Sequence, residues 1–185
     1  MTPLLLIGGA VGIFLYALSQ STDNADSETL NTVGDFTGNT DTILMTAPDR
    51  RSLLQALGMG IATGEGYFQT GTLPNRQNNP GDVKVGGVLA TFQPDTFDNP
   101  LPNGGWAALY HQLNLNLNGS SHVYDLGMSL RQMCATWTGL TDNGSGATPE
   151  LDNYVACVVQ SLNSNNFPAT EDTTIGALAR GDFSS

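Results

Sequence analysis

The sequence predicts an α+β domain, predominantly helical with one small β-hairpin, preceded by an N-terminal transmembrane helix. Three observations carry that expectation. Apolar residues recur at helical spacing in separate stretches, Leu54-Leu57-Ile61, Trp106-Leu109-Leu113-Leu117 and Leu151-Tyr154-Val155-Val158-Leu162, each one stripe of a 3.6-residue helix. Val83, Val85, Val88 and Ala90 alternate around Gly86-Gly87, a pattern suited to a two-residue hairpin turn. Residues 3–18 carry no charge, close to the shortest run that spans a bilayer, about 17 residues.

Residues 1–20 are therefore read as a membrane anchor, with a lipid bilayer as partner. A cleaved secretory signal ending at Ala17-Leu18-Ser19 and a buried apolar arm in an oligomer are the alternatives. Against the signal, Met1-Thr2 offers only a terminal amine where a positive leader is usual. Neither flank of the span holds a nearby Lys or Arg, so orientation is not readable from charge bias. Residues 21–45 are rich in Ser, Thr, Asn and Asp with few large apolar groups, the composition of a flexible acidic spacer. Residues 46–165 make the expected globular domain, and 166–185 a polar, surface-docked tail with at most a short helix at 174–180.

Within the domain each element has a local reason. Thr46, with Pro48 and Asp49 in the first turn, starts a helix that ends at Glu65. Residues 75–82, Asn-Arg-Gln-Asn-Asn-Pro-Gly-Asp, form a tight hydrogen-bonding loop before the hairpin. A proline-rich acidic loop at 94–102 follows. Asn103 then caps a helix through Leu117, although the alternating Leu-Asn pattern at its end also fits an extended strand. Ser129 and Gln132 make a capping box for a helix over 130–138, which Gly139 stops. Thr148-Pro149-Glu150 opens the last long helix, whose stripe makes Tyr154 first of all a core residue. Cys134 and Cys157, the only cysteines, adjoin apolar stripe positions and are expected as two reduced, buried thiols.

With 185 residues and 39% hydrophobic composition the chain can build one real core. Six basic against seventeen acidic residues give a net charge of −11, which argues against nucleic-acid binding by phosphate neutralisation. Glutamate is scarce, at positions 28, 65, 150 and 171 only. Of these, Glu65 alone continues an apolar stripe into the interior, where desolvation raises a carboxyl pKa toward the range of a general acid. A helix-end glutamate that reaches out to water is the competing reading. His111 and His122 lack partners at zinc-ligand spacing, and Ser120 and Ser121 beside His122 lack the strained elbow of a catalytic nucleophile. No metal and no cofactor are expected.

The runs GEGYFQTGTLPNRQNNPGDV, GGWAALYHQL, MSLRQMCATWTG and LDNYVACVV, in that order within residues 48–165, resemble phage-type lysozyme-like proteins of the soluble lytic transglycosylase superfamily. Those proteins show a helix ending in Glu-Gly-aromatic, then an Asn-Pro-Gly loop. The resemblance implies a lysozyme-like fold and peptidoglycan cleavage between the sugars, with Glu65 as catalytic acid and Tyr154 touching it. Where no second carboxylate serves, it implies attack by the muramyl 6-hydroxyl and a 1,6-anhydro product. Asp82 is the candidate second carboxylate, but an Asp after Pro-Gly commonly ends a turn, and that loop role is the expectation. Tyr67, Arg76, Asn78 and Asn79 are candidates for binding substrate. The two amides can equally satisfy their own loop, and Arg76 can pair with Asp82 or meet peptide-stem carboxylates. Cell walls are themselves acidic, so an acidic enzyme fits delivery by tethering. The expected setting is a phage virion's internal membrane or the host envelope, with peptidoglycan strands and other virion proteins as partners. A structural virion protein without activity and a glycan-binding module are the rival functions.

Overall fold

The computed structural model describes residues 46–183. The expected anchor and spacer, residues 1–45, lie outside the described residues, and no helix among the described residues is long and apolar enough to cross a membrane. The domain is mostly helical, with a single two-stranded antiparallel sheet.

The first helix, α1 (Ala47–Gly64), begins as its sequence requires: the Thr46 side chain accepts from the Asp49 backbone N–H. Leu53, Leu57 and Ile61 are fully buried and Leu54 only partly, so the inward stripe is turned by one residue from the expected one. Its main partner is α5 (Pro149–Ser164), to which it is tied by the Ser161 hydroxyl donating to the Ala56 carbonyl at 2.7 Å. The helices approach closely because α1 carries glycine at the crossing. A methyl group on Gly60 would lie 2.6 Å from the Val158 Cα. Alanine favours a helix over glycine by at most about 1 kcal/mol, whereas overpacking against backbone that cannot rotate away costs about 1–3 kcal/mol. Gly60→Ala is therefore expected to lower the thermal midpoint. A rise in that midpoint would mean that α1 and α5 have slack.

One helical turn, α2 (Leu73–Arg76), with Pro74 in its first turn, takes in the first two residues of the loop expected over 75–82. The hairpin is as expected: β1 (Lys84–Val85) pairs with β2 (Val88–Leu89), with Lys84 opposite Leu89 and Val85 opposite Val88. Gly86 and Gly87 sit at φ 60° and 82°, the left-handed pair that a type I′ turn demands.

The next helix, α3 (Gly105–Leu117), departs from expectation at its start. Its N-cap is Gly104, not Asn103, whose carbonyl instead accepts from the Gln93 N–H. The cap comes from a distance: the Asp95 carboxylate accepts from the N–H groups of Trp106 and Ala107 at 3.1 and 3.3 Å. A side chain at position 104 would overlap that carboxylate. The Leu-Asn alternation stays helical because Leu113, Asn116 and Leu117 share one buried face.

Helix α4 (Leu130–Thr138) has the expected capping box and stops at left-handed Gly139. At α5 the Thr148 hydroxyl makes no cap and donates to the Thr141 carbonyl. The C-terminal segment is no surface tail. Phe167, Ala169, Ile175 and Leu178 are buried, and α6 (Ile175–Arg180) packs on α3. Arg131 fastens it, with side-chain exposure of 7%. Its guanidinium meets Asp142, Asp152 and Glu171 at 2.8, 2.7 and 3.0 Å and donates to the Gly144 carbonyl. A buried charge needs such partners, and Arg131 holds Asp142 below the ordinary aspartate range. Both cysteines are free; Cys134 is buried as expected, but Cys157 is only partly so.

Candidate active site

Glu65 follows the last turn of α1, its N–H still bonded to the Ile61 carbonyl at 2.8 Å. Gly66, at φ 73°, turns the chain so that Tyr67 N–H returns to the Ala62 carbonyl at 2.9 Å. This left-handed step fixes where the Glu65 side chain leaves the helix. Tyr154 of α5 donates its hydroxyl to Glu65 Oε1 at 2.8 Å. The ring reaches it by lying over Gly64, where a methyl group would come within 2.7 Å of the ring. The stripe that made Tyr154 a core residue and the resemblance that placed it near Glu65 thus describe the same side chain, 6% exposed.

The Glu65 carboxyl is mostly buried, and its pKa is pushed up to about 7, first by desolvation and then by the negative charge of Asp82. The Tyr154 hydrogen bond and, less strongly, Lys84 oppose the shift. Near neutrality the group is therefore divided between acid and carboxylate. Behind it are Tyr124 and Cys134. Both titrate above their ordinary values, mainly because they are buried, and the Glu65 charge adds to each shift. The Tyr124 ring centroid is 5.9 Å from that of Trp137. Neither Tyr124 nor Trp137 is picked out as a site residue by the sequence. Trp137 sits in one of the resembling runs, but Tyr124 lies in an aperiodic loop with no local signal.

Asp82 does not cap its loop. Asn79, fully buried, takes that role: its Nδ2 donates to the Val83 and Ala90 carbonyls at 2.9 and 3.0 Å, and its Oδ1 accepts from the Val83 N–H at 2.8 Å. Asn78 donates to the Phe92 carbonyl at 3.2 Å. Both amides that were candidates for substrate therefore hold backbone. The Trp137 indole N–H donates to the Gly81 carbonyl at 3.0 Å, pinning the residue before Asp82 to α4. Asp82 itself is left-handed, at φ 48°, and its Oδ1 is buried with no hydrogen-bond partner among the described residues. Burial raises its pKa and Lys84 lowers it.

Beside the acid, Tyr67 packs edge-on against Trp106 with centroids 5.6 Å apart, while Phe68 is 53% exposed. Phe68 is thus the ring turned to solvent, and Tyr67 supports it. Arg76 is exposed and makes no ion pair with Asp82 among the described residues. His111 and His122 are exposed, and no group of three metal-ligating side chains comes together among the described residues. Surface hollows of about 270 and 280 Å³ lie along residues 119–126 and between α1 and the end of α5. Glu65 lines neither, although Tyr124 behind it lines the first. No family model, curated protein or solved structure matches the chain.

Proposed function

We propose that the chain is a membrane-tethered enzyme of lysozyme-like fold that cleaves the glycan strands of peptidoglycan, with Glu65 as general acid. The observation that carries this reading is the Glu65–Tyr154 pair: a mostly buried carboxyl, oriented by a 2.8 Å hydrogen bond, with its pKa raised to about 7 beside a second carboxylate. A general acid works best when its pKa lies near the working pH, and two carboxyls in unlike surroundings are the usual equipment for breaking a glycosidic bond. The exposed Phe68 ring, three residues beyond the acid in sequence, offers an apolar face for a sugar.

Delivery in a phage virion, with other virion proteins as partners, follows from the family resemblance and the apolar run at residues 3–18. Full-length protein is expected in the membrane pellet after carbonate and high-salt washing; recovery in the supernatant would remove the tether. For the activity, full-length protein is added to purified sacculi and soluble muropeptides are measured. Release supports the enzyme. Sedimentation with sacculi without release points to a glycan-binding module, and neither result to a structural protein.

A further inference from the structure

We propose that Asp82 is the second catalytic carboxylate of this site, activating a water molecule, so that the strand is cut by hydrolysis and not by the sugar's own 6-hydroxyl. This rests on the glycosidase reading above and decides the class of product.

Four observations lead there. The turn needs nothing from the Asp82 side chain, because Asn79 supplies the loop's hydrogen bonds. The Asp82 carboxyl has a buried oxygen with no partner among the described residues, an arrangement that costs stability unless something else uses it. The backbone beneath it is fixed: Gly81 is held by the Trp137 indole, and a methyl group on Gly81 would come 2.7 Å from Leu109. Finally, Asp82 and Glu65 are close enough for the charge of one to resist ionisation of the other. An Asp that ends a turn ordinarily bonds its own loop or faces water; the buried Asp82 oxygen does neither.

Lys84, two residues on, assigns the roles. Desolvation is the largest influence on both carboxyls; at Asp82 Lys84 opposes it, while at Glu65 the Asp82 charge adds to it. Asp82 is therefore assigned as the base, and Glu65, raised to about 7, as the group that carries the proton. In the reaction, the Glu65 proton passes to the glycosidic oxygen as the bond from that oxygen to C1 breaks. The water oxygen bonds to C1 and its proton passes to Asp82. One water is consumed, one new reducing end and one free hydroxyl are formed, and exchange with solvent returns both carboxyls to their starting states.

The test is digestion of purified sacculi by full-length protein in ¹⁸O-water, with products read by mass spectrometry. One ¹⁸O at each new reducing end is expected. Unlabelled 1,6-anhydro products would overturn the water step while leaving the glycosidase standing; no soluble product at all would overturn both. Asp82→Asn should keep the turn, since Asn adopts the left-handed conformation, and lose more than about a hundredfold in rate. Azide, a small nucleophile that needs no base, should restore turnover as a glycosyl azide. A folded Asp82→Asn protein working at the wild-type rate would overturn the assignment. Should the variant fail to fold, the label and the anomer of the wild-type product decide together: labelled product with inversion at C1 supports a base acting on water, and retention overturns it.

Discussion

Glu65→Gln is expected to reduce release of soluble muropeptides by more than about a hundredfold without unfolding the protein. Gln matches Glu in size, and its Oε1 still accepts from the Tyr154 hydroxyl, so the contact at 2.8 Å survives. What is lost is the proton, and a loss of this size falls on the chemical step. The wild type should also lose kcat/KM as pH rises through about 7, where Glu65 gives up that proton, and again in acid, where Asp82 takes one up. The groups facing Glu65 are Asp82, Tyr154 and Lys84, with Tyr124 and Cys134 behind. Burial pushes Tyr154, Tyr124 and Cys134 upward, away from that range, and the two limbs belong to the coupled carboxyl pair. A Glu65→Gln protein that clears sacculi at the wild-type rate would remove the acid and the enzyme with it.

What was legible in the sequence is what depends on near neighbours. The Thr46 cap, the Ser129–Gln132 box, the Gly86-Gly87 turn and the α5 stripe are each decided within a few residues, and each is present. Expectations failed where the deciding partner is far along the chain. Asn103 has the chemistry of a cap, but Asp95 arrives from nine residues before the Gly104 N-cap and takes the N–H groups. Residues 166–183 are polar enough to read as a tail, yet Arg131 draws in Glu171 across forty positions. At the site the same rule applies. Glu65 was visible because it continues a stripe, and Tyr154 because a stripe and a resembling run converge on it. The freedom of Asp82 was not visible, because it depends on which of several polar residues in one loop satisfies the backbone. That choice is made by packing, which buries Asn79 completely.

The same Glu65→Gln substitution is expected to stabilise the folded protein above neutral pH, and this gives a test of the site that needs no substrate. Glu65 has its pKa raised from an ordinary 4.5 to about 7 on folding, so the folded state binds the proton more tightly than the unfolded chain. The stability linked to this group is fully present below about pH 4.5 and is lost as pH rises through about 7. A shift of that size is worth about 3 kcal/mol, at about 1.4 kcal/mol per pKa unit, and burial leaves little solvent to screen it. Gln carries no such dependence. The stability of Glu65→Gln relative to wild type should therefore climb by up to about 3 kcal/mol between pH 4.5 and 8, as measured by denaturant unfolding. Asp142 works in the opposite direction: held low by Arg131, it contributes stability that is lost as pH falls. It is common to both proteins and cancels in the difference. Asp82 does not cancel fully, because its charge is part of what raises Glu65, and the measured climb reports the pair. Curves that run parallel from pH 4.5 to 8 would mean that Glu65 reaches water like any helix-end glutamate, and a carboxyl so placed would be ionised at neutral pH with no proton to give.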